Sequence, residues 1–228
     1  MGVLRTVLTI LAILFILYLV LHYFFKSSTS LTTMQDGTEK QVIDASTLPN
    51  NDNTSNYTYS TWFYVDDWNY RYGQPKIVFG RINTNKEPQP SVTLGANRND
   101  LTISMSCYPS VDSGNGNSVV HNCKLQNIPI QKWNHLLFSV YGKSMDVYLD
   151  GKLARTCVLP GTAKVTNVGN IYVTPAGGFA GSTAKLQYWD SATNPQQAYN
   201  IYRAGATDFS LLDKYKVVIS MYNRSEEH

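Results

Sequence analysis

The chain has 228 residues, of which 19 are Lys or Arg and 16 are Asp or Glu, so its formal net charge is only +3. The charged residues are spread along the chain without a basic block, which argues against nucleic acid as a partner. Three cysteines without a Cys-x-x-Cys pair argue against a zinc site.

The chain begins with an apolar segment that predicts a membrane span. From Val7 to Phe25 the sequence VLTILAILFILYLVLHYFF carries no charge over 19 positions. A helix rises about 1.5 Å per residue, so this segment would reach about 28 Å, close to the ~30 Å hydrocarbon core of a bilayer. A cleaved signal peptide has a shorter apolar stretch. We therefore predict an uncleaved single-pass anchor over residues 1–26, with a lipid membrane as its partner.

The segment that follows the anchor is polar. Residues 27–40, SSTSLTTMQDGTEK, lack apolar periodicity, and this composition predicts a flexible tether to a domain over residues 41–228. Arg5 and Lys26 flank the predicted span almost symmetrically, so the distribution of positive charge leaves the membrane orientation open.

The rest of the chain consists of short apolar or alternating segments separated by Gly, Asn, Asp and Pro. This pattern predicts an all-β fold, an antiparallel two-sheet jelly-roll sandwich. Strands are predicted near residues 41–45, 57–65, 76–82, 91–96, 101–107, 118–125, 133–141, 144–150, 152–158, 170–174, 179–190 and 214–222. The last of these either joins its own sheet or augments the sheet of a partner.

One short helix is predicted within NPQQAYNIYRAG. Asn194 suits the N-cap, Pro195 suits the first helical position, and Gly205 follows the end of the helix. An apolar stripe on this helix is expected to pack on the sandwich. It consists of Ala198, Ile201 and Tyr202.

Residues 133–152, WNHLLFSVYGKSMDVYLDGK, combine a histidine with two carboxylates. Strand alternation places His135 on the face opposite the apolar stripe of its own strand. Asp146 and Asp150 share a strand face but lie about 13 Å apart at ~3.3 Å per residue, too far to flank one glycosidic bond. Asp150 also precedes Gly151 in a pair that predicts a hairpin turn. We interpret the stretch as scaffold.

Three segments, in this order, resemble the laminin-G-like domains of the concanavalin A-like superfamily: YSTWFYVDDW, IPIQKWNHLLFSVYGKSMDVYLDGKLARTCVLPG and GNIYVTPAGGFAGSTAKLQYWDSATNPQQAYNIYRAG. The resemblance covers roughly residues 57–205 and implies a jelly roll in which Trp133 and His135 are scaffold residues. The anchor, the tether, NYTYSTWFYVDDWNYRYGQPKIVFGR and LLDKYKVVISMYN resemble membrane-anchored members of the family in large double-stranded DNA viruses. That similarity implies a protein of the virion membrane or capsid.

Catalysis is not expected. Glucanases that share this fold carry an E-x-D-x-E pattern, which the sequence lacks. No histidine lies in a Gly-x-Ser-x-Gly elbow or beside a cysteine in a nucleophile motif. We predict a non-enzymatic protein with no catalytic residue and no cofactor. The four glutamates lie in the tether, a Pro-flanked loop and the tail: Glu39, Glu87, Glu226 and Glu227.

If the protein does bind a cofactor, we expect calcium, because it is the ion most often bound by the family that the sequence resembles. It would need several converging oxygen ligands. Asp66, Asp67 and Asn69 could supply some of these, as could Asp112 and Asn115. Loops are rich in Asp and Asn for conformational reasons as well, so the spacing decides nothing.

The cysteines leave two states open. Cys107 and Cys123 flank a loop rich in Gly, Asn and Ser, so a bridge between them is one expectation in an oxidising compartment. Three reduced thiols, including Cys157, are the other.

The candidate binding surface is DDWNYRYG, which places Trp68, Asn69, Tyr70, Arg71 and Tyr72 in one loop. Aromatic faces beside polar side chains suit both glycans and protein interfaces, whereas aromatics folded back over the sandwich end would be structural. We predict a membrane-anchored structural or interaction protein that links a membrane to a neighbouring protein layer, with other structural proteins such as capsid proteins as partners. A membrane-anchored carbohydrate-binding module is the alternative.

Overall fold

The computed structural model describes residues 15, 30–51, 55–82, 85, 87–108 and 118–206. In this part of the chain the strands are β1 Gln35–Asp36, β2 Gln41–Ile43, β3 Tyr57–Asp67, β4 Lys76–Ile82, β5 Pro88–Leu94, β6 Leu101–Cys107, β7 Val119–Leu125, β8 Trp133–Tyr141, β9 Ser144–Leu149, β10 Lys152–Val158, β11 Ile171–Val173 and β12 Ala180–Trp189. The helix α1 spans Pro195–Arg203.

The strands form two six-stranded sheets. The first has the order β1-β12-β3-β8-β9-β10 and the second the order β2-β11-β4-β5-β6-β7. Neighbouring strands are antiparallel, and one apolar core draws residues from both sheets. The prediction of an all-β fold with two antiparallel sheets and one short helix is confirmed.

Aromatic side chains join the two sheets at the centre of the core. Tyr59 of β3 lies 5.6 Å from Phe138 of β8 and 4.8 Å from Tyr188 of β12, measured between ring centroids. Its ring also lies 5.5 Å from that of Phe79 on β4, in the opposite sheet. Tilted and stacked aromatic pairs at these separations add to the stabilisation that comes from burial alone.

Residues 30–40 differ from the predicted flexible tether. Gln35–Asp36 pair with β12, the Leu31 N–H donates to the Leu186 carbonyl at 2.7 Å, and the Gly37 N–H donates to the Gly181 carbonyl at 2.8 Å. Backbone hydrogen bonds need no apolar side chains, so a polar segment can hold the edge of a sheet. The free tether therefore does not extend over residues 30–40.

The predicted membrane span lies outside the described residues except for Phe15. No helix within the described ranges is long and apolar enough to cross a bilayer. The predicted strand at 214–222 also lies outside the described residues. Both stay predictions.

The cysteine pairing differs from both expectations, because Cys123 of β7 and Cys157 of β10 form a disulfide. Cys107 is buried and free, and burial raises the pKa of its thiol. Cys107 pairs with Val119, whereas Cys123 pairs with Ile103, four residues away along β6. That offset is about 13 Å along a strand, too far for a bridge between Cys107 and Cys123.

Helix α1 packs on the sandwich, as predicted, and the structure places it on the outer face of the first sheet. Asn194 and Gln197 form a reciprocal capping box, with hydrogen bonds of 2.8 and 3.0 Å. Ala198 is fully buried in a small cluster on the outer face of β8 and β9. The Tyr202 ring stacks on Trp62 at 5.6 Å. The helix therefore covers side chains on the outer face of the first sheet, which lie outside the core between the two sheets.

Candidate functional site

The five candidate residues lie in the loop between β3 and β4, residues 68–75, at one end of the sandwich. Trp68 is partly buried and packs against the core. Lys76 Nζ lies 5.2 Å from the centroid of the Trp68 ring, within the range of a cation–π contact. Lys76 is itself buried, and burial, together with the nearby charge of Arg71, lowers the pKa of its amine. Trp68 is therefore a packing residue.

Tyr70 and Arg71 attach the loop to the turn after β11. The Tyr70 hydroxyl donates to the Gly177 carbonyl at 3.1 Å, and Arg71 Nη1 donates to the Gly178 carbonyl at 3.3 Å. Arg71 Nε and Nη2 both donate to Gln74 Oε1, at 3.1 and 2.9 Å. Two side chains thus fix the loop at its middle.

Asn69 and Tyr72 face solvent. The Asn69 N–H donates to Asp67 Oδ1 at 2.8 Å, and its carbonyl accepts the Tyr72 N–H at 3.0 Å, so the backbone here forms a closed turn. The Asn69 side chain is exposed, and the Tyr72 side chain is 62 % exposed. Of the five candidates, these two are placed to meet a ligand or partner without rearrangement.

His135 is a scaffold residue, as the resemblance implied. It is fully buried, with Nε2 at 2.8 Å from Ser60 Oγ, and its ring lies 4.9 Å from Trp62 and 5.7 Å from Tyr202. Burial lowers the pKa of His135 to about 4, and the carboxylate of Asp150 only partly opposes this effect. The imidazole sits beneath α1, away from solvent.

The two carboxylates of the same stretch hold structural contacts. Asp150 Oδ1 accepts the His135 N–H at 2.9 Å, and Asp150 Oδ2 forms an ion pair with Lys132 Nζ at 3.0 Å. Asp146 Oδ1 accepts the Thr156 hydroxyl at 2.6 Å across the β9–β10 pair. Both residues stabilise strand pairing and the turn between strands.

Calcium binding stays a prediction. Asp67 uses Oδ1 for the Asn69 N–H, and the described ranges contain no cluster of three His, Cys, Asp or Glu side chains suited to a metal ion. Asp112 and Asn115 lie outside the described residues.

The sequence did not reveal the partners that fix the loop. Gly177 and Gly178 are more than a hundred residues from Tyr70 and Arg71 along the chain, and only the strand order brings them together. Lys76 opens an apolar strand, which gave no sign that its amine would lie over an indole ring. The aromatic density of the loop was the one signal present in the sequence.

Residues 35–198 match the model of a family described as the concanavalin A-like lectin/glucanases superfamily. No curated protein matches the chain.

Solved structures with a similar fold include the botulinum neurotoxin serotype D binding domain, at 10 % identity and a TM-score of 0.56 over 75 % of this chain and 42 % of that one. The receptor binding domain of the botulinum neurotoxin C/D mosaic serotype is 11 % identical, with a TM-score of 0.55 over 75 % of this chain and 42 % of that one. The binding domain of botulinum neurotoxin DC in complex with rat synaptotagmin II is 10 % identical, with a TM-score of 0.54 over 72 % of this chain and 40 % of that one. The chain thus spans less than half of each, and the likeness is one of fold.

Proposed function

Because the chain belongs to the concanavalin A-like lectin/glucanases superfamily, we propose that it is a non-enzymatic binding protein anchored in a membrane. In this proposal the sandwich links the membrane to a neighbouring protein layer. The apolar segment from Val7 to Phe25 supplies the anchor. The resemblance to membrane-anchored proteins of large double-stranded DNA viruses extends the proposal to a minor component of a virus particle.

One observation carries the proposal: the β3–β4 loop is fixed from behind while it presents an aromatic side chain to solvent. Trp68 rests on the core, and Arg71 bonds to Gly178 and Gln74. Tyr72 projects from this fixed base. A loop held in one conformation loses little entropy on binding, and an amphipathic tyrosine is a common anchor in interfaces. The geometry suits recognition of a partner surface.

Carbohydrate binding is the second candidate. It is favoured by the joint exposure of the Tyr72 ring and the Asn69 amide on one turn. An aromatic face can cover the apolar side of a sugar ring, while an amide bonds its hydroxyls. The two candidates share the loop and differ only in the partner.

Tyr72→Ala is the informative substitution, because replacing Trp68 would also remove core contacts. Tyr199, an exposed tyrosine on α1, provides the matched control. A photo-crosslinking amino acid at position 72 of the full chain, in its native assembly, should give a discrete protein adduct that position 199 does not give. Tyr72→Ala should weaken binding to the captured partner at least tenfold, the loss expected for a residue that anchors an interface.

A glycan array probed with the full chain in nanodiscs separates the two candidates. A blank array together with an adduct at position 72 supports the protein layer. Specific glycan binding that is lost in Tyr72→Ala and kept in Tyr199→Ala would favour carbohydrate binding over the protein layer. Failure of both experiments at position 72 would overturn the loop as the site.

A further inference from the structure

The chain enters the sandwich at a defined point. Ser30 pairs with Gln187 near the end of β12, and the Leu31 N–H donates to the Leu186 carbonyl. The Thr32 hydroxyl accepts the Leu186 N–H at 3.0 Å. Because this segment runs antiparallel to β12, the residues before Ser30 lead towards the end of the sandwich where β12 stops at Trp189.

The link between this entry point and the predicted membrane span is short. Four residues separate Phe25 from Ser30. An extended chain covers at most about 3.5 Å per residue, so the two positions lie within about 18 Å of each other. The same end of the sandwich must therefore stay beside the bilayer. We call it the connector end, formed by the turn from Tyr141 to Ser144, the end of β10 and the loop 159–170.

The strand register places the most exposed apolar side chains at the connector end. Val158 is 76 % exposed, Val168 is 75 % exposed and Tyr141 is 69 % exposed, the three highest values among large apolar residues in the described ranges. Val158 pairs with Ser144 in the turn that follows Tyr141. Val168 lies in the loop that leads into β11, and β11 begins opposite the end of β4.

Backbone and side-chain contacts fix the turns that carry Val168 and Tyr141. Arg81 Nε donates to the Gly169 carbonyl at 2.7 Å, and the Val168 N–H donates to Thr166 Oγ1 at 3.3 Å. The Gly142 N–H donates to Asn56 Oδ1 at 3.0 Å, beside Tyr141. Apolar groups on fixed turns cannot fold back to bury themselves, so an external apolar phase must cover them if they are to leave water.

Charges at the connector end have both signs. Lys143 is exposed in the turn, and Asp44 is exposed after β2. Lys164 is paired with Glu87 at 3.5 Å. Electrostatic attraction to anionic lipid is therefore not the main contribution; burial of apolar tips at the interface is.

We infer that the connector end rests on the bilayer that the anchor crosses, with Tyr141, Val158 and Val168 inserted among the lipid headgroups. This inference rests on the proposed membrane anchor. It also orients the β3–β4 loop, because Gln187 pairs with Ser60, seven residues before the end of β3. At about 3.3 Å per residue the loop lies more than 20 Å from Ser60 along β3, at the end of the sandwich opposite the connector end. The candidate binding loop faces away from the bilayer.

Two tyrosines of similar exposure, Tyr141 and Tyr72, allow a matched test. The full chain carrying Tyr141→Cys or Tyr72→Cys is reconstituted in phosphatidylcholine liposomes and labelled with a nitroxide, and the unsubstituted chain controls for reaction at buried Cys107. Collision rates are measured with oxygen, which concentrates in lipid, and with a nickel chelate confined to water. We expect the label at 141 to favour oxygen over nickel at least threefold more than the label at 72. Val168→Cys should behave like Tyr141→Cys, which guards against a local effect of one substitution.

Flotation of the same liposomes separates the proposed membrane anchor from the inferred contact between the connector end and the bilayer. Chains that float with lipid, but whose labels at 141 and 168 meet nickel as freely as the label at 72, would overturn the inference and leave the anchor standing. Chains that do not float would remove the anchor, and the inference with it.

Discussion

His135 shows how one buried side chain can link stability to pH. Its Nε2 lies beside Ser60 Oγ, while its Nδ1 has no hydrogen-bond partner within the described part of the chain. Burial holds the pKa of His135 at about 4, against about 6.5 in an unfolded chain. Between these pH values only the unfolded chain takes up the proton. The free energy of unfolding is therefore undiminished above pH 6.5 and falls as the pH drops towards 4, by about 3 kcal/mol for this group.

The substitution His135→Gln should flatten this dependence. The variant is expected to have a lower Tm than the parent at pH 7.5, because a packed ring is lost, but the difference should shrink as the pH falls to 4.5. Thermal unfolding of the full chain in detergent micelles measures both. His121→Gln, a partly exposed histidine on β7, should keep the parental slope. Parallel pH profiles for His135→Gln and the parent would contradict the assignment.

The candidate site was predictable in place but not in detail. An aromatic, polar segment between two strands marks the β3–β4 loop from the sequence alone. Which of its side chains face solvent depends on Gly177 and Gly178, which accept hydrogen bonds from Tyr70 and Arg71. These contacts are set by the pairing of distant strands, and no local pattern encodes them.

Among the elements, β1 and α1 show which signals a sequence carries. Helix α1 was predictable because its cap, its proline and its apolar stripe are local features. Strand β1 was not, because Gln35 and Asp36 pair with the edge of β12 and neither carries an apolar side chain. Edge strands without an apolar face have no period-2 pattern to detect. A polar segment next to a free edge can therefore belong to the sheet.

The β9–β10 turn should be the most sensitive contact of α1. Asp150 and Gly151 have φ of +50° and +73°, as the Asp-Gly pair predicted for a tight hairpin turn. A Cβ on Gly151 would lie 2.7 Å from Tyr202 Cδ1, whereas a Cβ on Gly142, at φ +56°, would meet nothing within 4 Å. Gly142→Ala should cost about 1 kcal/mol for its backbone conformation. Gly151→Ala should cost about 1–3 kcal/mol more, because the helix must shift.

Denaturant unfolding followed by tryptophan fluorescence gives both values. Tyr202→Ala should remove most of the additional cost of Gly151→Ala, because the ring carbons that would lie 2.7 and 2.9 Å from the new methyl group are gone and only the Cβ of residue 202, at 3.0 Å, stays close. Equal costs for the two glycine substitutions in the parent chain would show that α1 does not rest on the turn.

At the scale of the whole molecule, the disulfide closes one side of the sandwich. Strands β7 and β10 are the last strands of their sheets, and Cys123–Cys157 joins them. Arg155 Nη1 also donates to the Lys124 carbonyl at 2.7 Å across the same gap. The two cysteines are 34 positions apart in the sequence, and nothing near either one indicates the other. The pairing follows from the strand order, which the sequence pattern does not specify.

The disulfide leads us to predict both a loss of stability when it is removed and the side of the membrane on which the sandwich lies. Cys157→Ser removes a cross-link over a long loop and should lower the free energy of unfolding by about 2–5 kcal/mol. A thiol reductant should lower the Tm of the parent and of Cys107→Ser by a similar amount, but should leave Cys157→Ser unchanged. Because structural disulfides persist in oxidising compartments, we expect the sandwich on the non-cytosolic side. A membrane-impermeant thiol reagent applied to cells should therefore label Tyr72→Cys, at an exposed position, and leave the parent, with its bridged pair and buried Cys107, unlabelled. A parent Tm that does not respond to reductant would contradict a structural role for the bridge, and the topological prediction would lose its basis.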